Sequence, residues 1–173
     1  RVCRYSNSEN KVYCADIIGG LSAGSIIPIE GTTDQFVVGL DLAIKVIQWD
    51  GKSSTAQILR VVTDVAVGTT SVMNYATAAS DGRYYTGDFS SKICGGAANS
   101  TLFSYSPSNG LNVVLTGMVM NQGLVFVDKL RKFYHLDGCS YRIVEYDWDP
   151  STSQVCMREV NVLNLNGDNC LIF

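Results

Sequence analysis

The chain carries a weak internal repeat, and that repeat constrains its fold more than any other feature. Four times a short apolar run ends on an aromatic residue, breaks into a polar turn and resumes as a second apolar run. Val2-Cys3-Arg4-Tyr5 passes through residues 6–10 into Lys11-Val12-Tyr13-Cys14. Val46-Ile47-Gln48-Trp49 passes through 50–54 into Gln57-Ile58-Leu59. Leu102-Phe103-Ser104-Tyr105 passes through 106–110 into Val113-Val114-Leu115, and Ile143-Val144-Glu145-Tyr146 through 147–152 into Gln154-Val155-Cys156. The closing aromatics Tyr5, Trp49, Tyr105 and Tyr146 are 44, 56 and 41 residues apart. Gly, Asn, Asp, Ser and Pro fill the turns, so each unit reads as a β-hairpin.

A further strand precedes three of these hairpins. Gln35-Phe36-Val37-Val38-Gly39, Arg83-Tyr84-Tyr85-Thr86-Gly87 and Lys132-Phe133-Tyr134-His135-Leu136 recur about every 48 residues. Asp81-Gly82 and Asp128-Lys129 supply turns ahead of two of them. A four-stranded unit recurring every forty to fifty residues or so predicts an all-β chain built as blades of a β-propeller. Stacked blades cover faces that an isolated blade would expose, which is why such a unit repeats. An ordinary β-sandwich also consists of short strands and frequent turns, and it is the alternative. Residues 76–79 have helix-forming character, but Tyr75 and Ser80-Asp81-Gly82 confine them to little more than a turn.

The chain is 46% hydrophobic and 17% charged, enough apolar material for a core and too little charge for disorder. Its net charge of −3 argues against a nucleic-acid partner, and the densest basic stretch, Lys129, Arg131 and Lys132, reads as a solvated turn. No run of about eighteen apolar residues is present, so no membrane-spanning helix is expected. No basic-then-apolar leader is visible, and with the chain starting at Arg1 its absence carries no weight. Six cysteines, Cys3, Cys14, Cys94, Cys139, Cys156 and Cys170, contain no CxxC, so they suggest disulfides or buried thiols rather than a metal cluster. Asn99-Ser100-Thr101 is an acceptor pattern for N-glycosylation. Together with the cysteines it leans toward a secreted protein.

The hairpin residues and residues 74–87 resemble the regucalcin (senescence marker protein 30), gluconolactonase and luciferin-regenerating enzyme family. So do Asn121-Gln122-Gly123-Leu124, Lys132-Phe133-Tyr134-His135-Leu136-Asp137 and Tyr146-Asp147-Trp148-Asp149. The likeness runs along the whole chain at low identity, as in the divergent members that arthropods hold. It implies a six-bladed β-propeller of which residues 1–173 supply about four blades, from the end of blade one to most of blade four. It also implies one divalent cation (Ca, Zn or Mn) in the central channel, and a ring whose remainder travels as a second polypeptide or fragment, is disordered, or is supplied when an abbreviated form associates. An open fragment would otherwise expose sheet faces to water.

Matched residue by residue, the resemblance places candidate sites. The family's Arg-x-Asn-Asp-Gly motif falls on Val72, Asn74, Tyr75 and Ala76, so Asn74 is kept and Val72 stands where a guanidinium would hold substrate. The family's metal-binding asparagine falls on Gln122, with Asn121 as an alternative after a one-residue shift. Candidate substrate contacts are therefore Asn74 and Val72, and candidate metal ligands are Gln122, Asn74 and Asn121. Asp137 is expected to be structural or to support a ligand, His135 to be structural, and Glu30 and Asp34 to make a solvated turn. Two functions follow. One is a propeller that has lost hydrolase activity and serves either in binding, of a small hydrophobic ligand for example, or in a structural or storage role. The other is a divalent-metal-dependent lactone or ester hydrolase completed by residues outside the chain.

Overall fold

The computed structural model describes residues 1–65, 71–90, 94–95, 98–152, 154–156 and 162–164. They are all-β apart from one 3-10 turn, Asp128–Leu130. The strands are β1 (Val2–Ser6), β2 (Lys11–Ile17), β3 (Ala23–Pro28), β4 (Gln35–Leu40), β5 (Ala43–Gln48), β6 (Thr55–Asp64), β7 (Ser71–Ala78) and β8 (Tyr84–Ser90). They continue with β9 (Ser100–Ser106), β10 (Gly110–Met118), β11 (Asn121–Val127), β12 (Lys132–Asp137), β13 (Arg142–Asp149), β14 (Gln154–Cys156) and β15 (Val162–Asn164).

Three antiparallel meanders account for most of these strands: β3 to β6, β7 to β10, and β11 to β14 with β15 on the same edge of β13 as β14. The β1–β2 hairpin joins the first meander through a short parallel contact, Asp16 opposite Thr55 and Ile17 opposite Ala56. All four hairpins of the sequence repeat form, and so do the three strands preceding them. One local reading is corrected. Residues 76–78 are not a turn but the end of β7, paired with Thr86, Tyr85 and Tyr84. Alanine's helical preference is a few tenths of a kcal/mol to about 0.7 per residue, which sheet pairing and packing of Ala76 between two sheets outweigh.

The meanders pack face to face, and residue parity assigns each side chain to a layer. Val38, Leu40 and Ile47 turn toward the β1–β2 hairpin, where they meet Val2, Ala15, Ile17 and Trp49. Ile44 turns the other way, into a layer shared with Met73, Tyr84 and Phe103 of the second meander. The next residue of β8, Tyr85, and the preceding residue of β9, Leu102, lie on the opposite face against Leu124, Phe133 and Trp148 of the third meander. A sheet covered on both sides needs apolar residues at consecutive positions, which explains why Gln35–Leu40 and Ala43–Gln48 read as nearly continuous apolar runs. The third layer is aromatic. Phe126 lies 4.6 Å from both Tyr85 and Trp148, and Phe133 stacks on Tyr146 at 4.8 Å. Each such pair adds about 0.5–1.5 kcal/mol beyond burial.

Two disulfides form. Cys3–Cys14 crosses the β1–β2 hairpin at directly opposed positions, and Cys94–Cys139 ties the β8–β9 connection to the β12–β13 turn. Cys156 contributes a strand position, while its side chain and Cys170 lie outside the described residues. The second bridge joins two meanders across 45 residues of sequence. By loop entropy it stabilises the fold by about 4 kcal/mol, against about 3 kcal/mol for the hairpin bridge. Replacing both Cys94 and Cys139 by Ser is therefore expected to lower the thermal midpoint clearly more than the Cys3/Cys14 pair. A double variant that melts with the wild type under oxidising conditions would show that the bridge carries no such load.

Candidate functional site

The first strands of the three meanders, β3, β7 and β11, share one irregularity. In β3 an extra residue, Gly24, lies between the pairs Ala23–Leu40 and Ser25–Gly39. In β7, Asn74 and Tyr75 together oppose the single residue Gly87. In β11, Gln122 is extra between the pairs Asn121–Asp137 and Gly123–Leu136. A bulge leaves one residue outside the ladder and re-aims its side chain, and bulges gather beside binding sites. Asn74 and Gln122, singled out from the sequence, therefore occupy equivalent bulged positions at the same end of neighbouring meanders.

These strand ends are stitched closely together. A Cβ on Gly24 would stand 2.1 Å from the Met73 carbonyl oxygen and 2.4 Å from that of Asn74, so only glycine lets β3 approach β7 here. The Met73 N–H donates to the Asp41 carbonyl at 3.2 Å. Asn74 Nδ2 donates to the Asn121 carbonyl, joining β7 to β11. Gln122 is exposed, and its amide oxygen lies over Gly138 in the β12–β13 turn, 1.9 Å from where a Cβ would be. Val72 is half-buried and pairs with Phe89.

Asn121 is turned inward and is 2% exposed. Its Nδ2 donates to the Asp88 carbonyl at 2.8 Å and the Thr101 carbonyl at 3.2 Å, spanning two meanders. Those two bonds fix the amide orientation, so Oδ1 faces His135 Nε2 at 2.9 Å and can only accept. His135 therefore carries its proton on Nε2. Burial lowers its pKa to about 4, against a smaller upward pull from Asp137, so the ring is neutral near pH 7.

The carboxylates near this end are occupied by backbone donors. Asp41, in the left-handed region at φ 58°, accepts from the N–H groups of Leu21 and Ser22 at 3.0 Å each. Asp88 accepts from Thr101 N–H at 2.6 Å. Asp137 accepts from Val119 and Met120 at 3.1 and 3.0 Å and from Cys139 at 3.3 Å. Burial pushes the Asp137 carboxyl upward, but hydrogen bonds from Ser140 and these three N–H groups outweigh it, and its pKa lies below the ordinary carboxylate value. Asp41 and Asp88 were missed in the sequence, although Asp41, Asp88 and Asp137 recur at 47 and 49 residues near the ends of β4, β8 and β12. Glu30 is exposed and Asp34 accepts from Gln48 Nε2 at 2.6 Å, both in the β3–β4 connection at the opposite strand end.

Among the described residues, no group of three or more His, Cys, Asp or Glu side chains is arranged to hold a metal ion. The amide oxygens of Asn74 and Gln122 are of the hard type that divalent cations accept, but both are neutral. Calcium takes six to eight or so oxygens, carboxylates prominent among them. This donor set does not by itself fit a divalent cation. No helix among the described residues is long and apolar enough to cross a membrane.

A family model described as "SMP-30/Gluconolactonase/LRE-like region" matches residues 1–169. Among curated protein sequences no significant match was found. Among solved structures, a luciferin-regenerating enzyme superposes with a TM-score of 0.74 at 24% identity, over 94% of this chain and 52% of that one. Regucalcin from Agrobacterium tumefaciens, described as a calcium-binding protein, gives 0.64 at 9% identity, over 79% and 43%. The periplasmic gluconolactonase of Pseudomonas aeruginosa gives 0.58 at 14%, over 84% and 40%. The chain thus spans about half the length of the solved proteins it resembles, and at these identities the likeness is one of fold.

Proposed function

The chain belongs to the SMP-30/gluconolactonase/LRE-like family, and from that membership we propose that it is a divergent propeller segment that binds a small, largely apolar ligand without hydrolysing it. One observation carries this reading. At the bulged strand ends the chain presents uncharged side chains, Asn74, Gln122 and the nearby Val72, while Asp41, Asp88 and Asp137 are turned onto backbone N–H groups. Amides and an aliphatic side chain suit a ligand with an apolar body and a few hydrogen-bonding groups. They supply neither the charge that concentrates a cation nor a guanidinium fork for an anionic substrate.

In the same proposal the three meanders are blades two to four of a six-bladed ring, and the β1–β2 hairpin is the end of blade one. The remaining blades of that ring come from residues beyond the 173 described by this sequence. The two disulfides are consistent with a secreted or extracellular setting.

The test uses the native assembly, with its metal content measured and lactone and ester hydrolysis assayed before and after chelation. The expected result is no stoichiometric Ca, Zn or Mn and no chelator-sensitive hydrolysis. Stoichiometric metal with chelator-sensitive turnover would overturn the proposal and establish the alternative, a metal-dependent lactone or ester hydrolase whose carboxylates come from outside this chain.

A further inference from the structure

We propose that Asn99 carries an N-linked glycan, held at the rim of the end that bears Asn74 and Gln122. The inference is independent of the ligand-binding reading. Asn99-Ser100-Thr101 has the acceptor spacing, with no proline in the middle position. The structure gives the three residues different surroundings. Asn99 is exposed, whereas Ser100 is fully buried and its Oγ donates to the Val119 carbonyl at 2.9 Å. Thr101 is held on both sides of its backbone. Its N–H donates to Asp88 Oδ1 at 2.6 Å, and its carbonyl accepts from Asn121 Nδ2 at 3.2 Å. The acceptor amide thus stands in solvent on a firmly held strand end, and a branched sugar at Asn99 displaces no packed group.

The disulfides supply an independent argument. A bridge five residues upstream, Cys94–Cys139, and a second at Cys3–Cys14 are of the kind that forms in a secretory compartment, where N-glycan transfer also takes place. In the transfer, Asn99 Nδ2 loses a proton and bonds to the anomeric carbon of the first sugar. The bond from that carbon to the pyrophosphate of a lipid-linked oligosaccharide breaks, and the lipid pyrophosphate leaves with the electron pair. No oxidant or reductant is required.

The position gives the glycan a consequence. Cys94–Cys139 ties the β8–β9 connection, which carries Asn99, to the β12–β13 turn. In that turn Gly138 lies beneath the Gln122 amide. A glycan at Asn99 therefore stands beside the strand ends that hold the candidate site, where it hinders approach by macromolecules while a small ligand can still enter.

Peptide mapping of the native protein decides the matter. The peptide spanning residue 99 is expected to be found with hexosamine-containing mass in most copies, and enzymatic removal of N-glycans should convert Asn99 to Asp. In a secreted recombinant full chain, Asn99→Gln and Thr101→Val should each abolish the mass shift completely, and Thr101→Ser should retain it. Native protein in which the unmodified Asn99 peptide predominates overturns the proposal, whatever the variants do. Sugar that survives in both Asn99→Gln and Thr101→Val, and so lies elsewhere, overturns it as well.

Discussion

Asn121→Ala is expected to destabilise the folded chain by about 4 kcal/mol, near the upper end for a single substitution. The side chain is 2% exposed, and its loss strips hydrogen bonds from the Asp88 carbonyl, the Thr101 carbonyl and His135 Nε2 at once. Each buried group left unpaired costs about 1–3 kcal/mol, and partial relaxation keeps the total below the simple sum. Asn121→Asp preserves the shape but turns a carboxylate oxygen toward two backbone carbonyls, so at neutral pH it should be worse than alanine. Gly87→Ala attacks the same pin from below, because its Cβ would fall 2.3 Å from Asn121 Cβ. Urea denaturation measures all three. An Asn121→Ala variant within about 1 kcal/mol of wild type would mean that water replaces the amide and that the meanders are not pinned there.

The hairpins were readable because their information is local. Apolar alternation and turn residues such as Asp50-Gly51 and Asn109-Gly110 act over a few residues, and Gly51 and Gly110 do take the positive φ that such turns require. The strand at residues 76–78 was not readable, because Ala76 and Ala78 have no strand preference of their own and Thr77 alone is too short a signal. Its place is decided by Tyr84 and Tyr85 across the ladder and by the neighbouring sheet. The pairing of cysteines was equally out of reach. Cys3 and Cys14 sit opposite each other only once the hairpin register is set, and Cys94 meets Cys139 only when two meanders pack.

At the site, residue type was legible and direction was not. Asn74 and Gln122 could be picked out by matching a family pattern, but that both occupy bulges depends on the register of β7 on β8 and β11 on β12. Asn121 shows the limit most clearly. It neighbours Gln122 and has the same chemistry, yet it is turned into the interior, where Gly87 leaves room for it and His135 accepts its company. The aspartates Asp41, Asp88 and Asp137 did leave a signal in their near-even spacing. Their role emerges only from the backbone N–H groups that surround each of them. A sequence names the acids, and three-dimensional structure decides which remain available for chemistry.

Acidification from pH 6.5 toward 4 is expected to weaken the fold through His135, and above about pH 5 the carboxylates add little to that loss. Burial lowers its pKa in the folded chain to about 4, while the unfolded chain keeps the ordinary value of 6.5. Between those values the unfolded state binds the additional proton, so stability rises with pH, is complete above about 6.5 and is lost as pH falls toward 4. Below about 4 the folded ring protonates too and the effect levels off. At about 1.4 kcal/mol per unit, the window corresponds to a loss of about 3 kcal/mol. Asp137, on the same face of β12, has a lowered pKa, so its share of stability is present above the ordinary carboxylate value and is lost only at lower pH than that of His135. His135→Gln separates the two. Its amide N–H can still donate to Asn121 Oδ1 but does not titrate, so its urea midpoint should stay nearly flat across pH 6.5–4.5 while that of the wild type falls. Parallel profiles for the two proteins over that range would show that the ring is not held neutral in the folded chain, and that the acid sensitivity belongs to other groups.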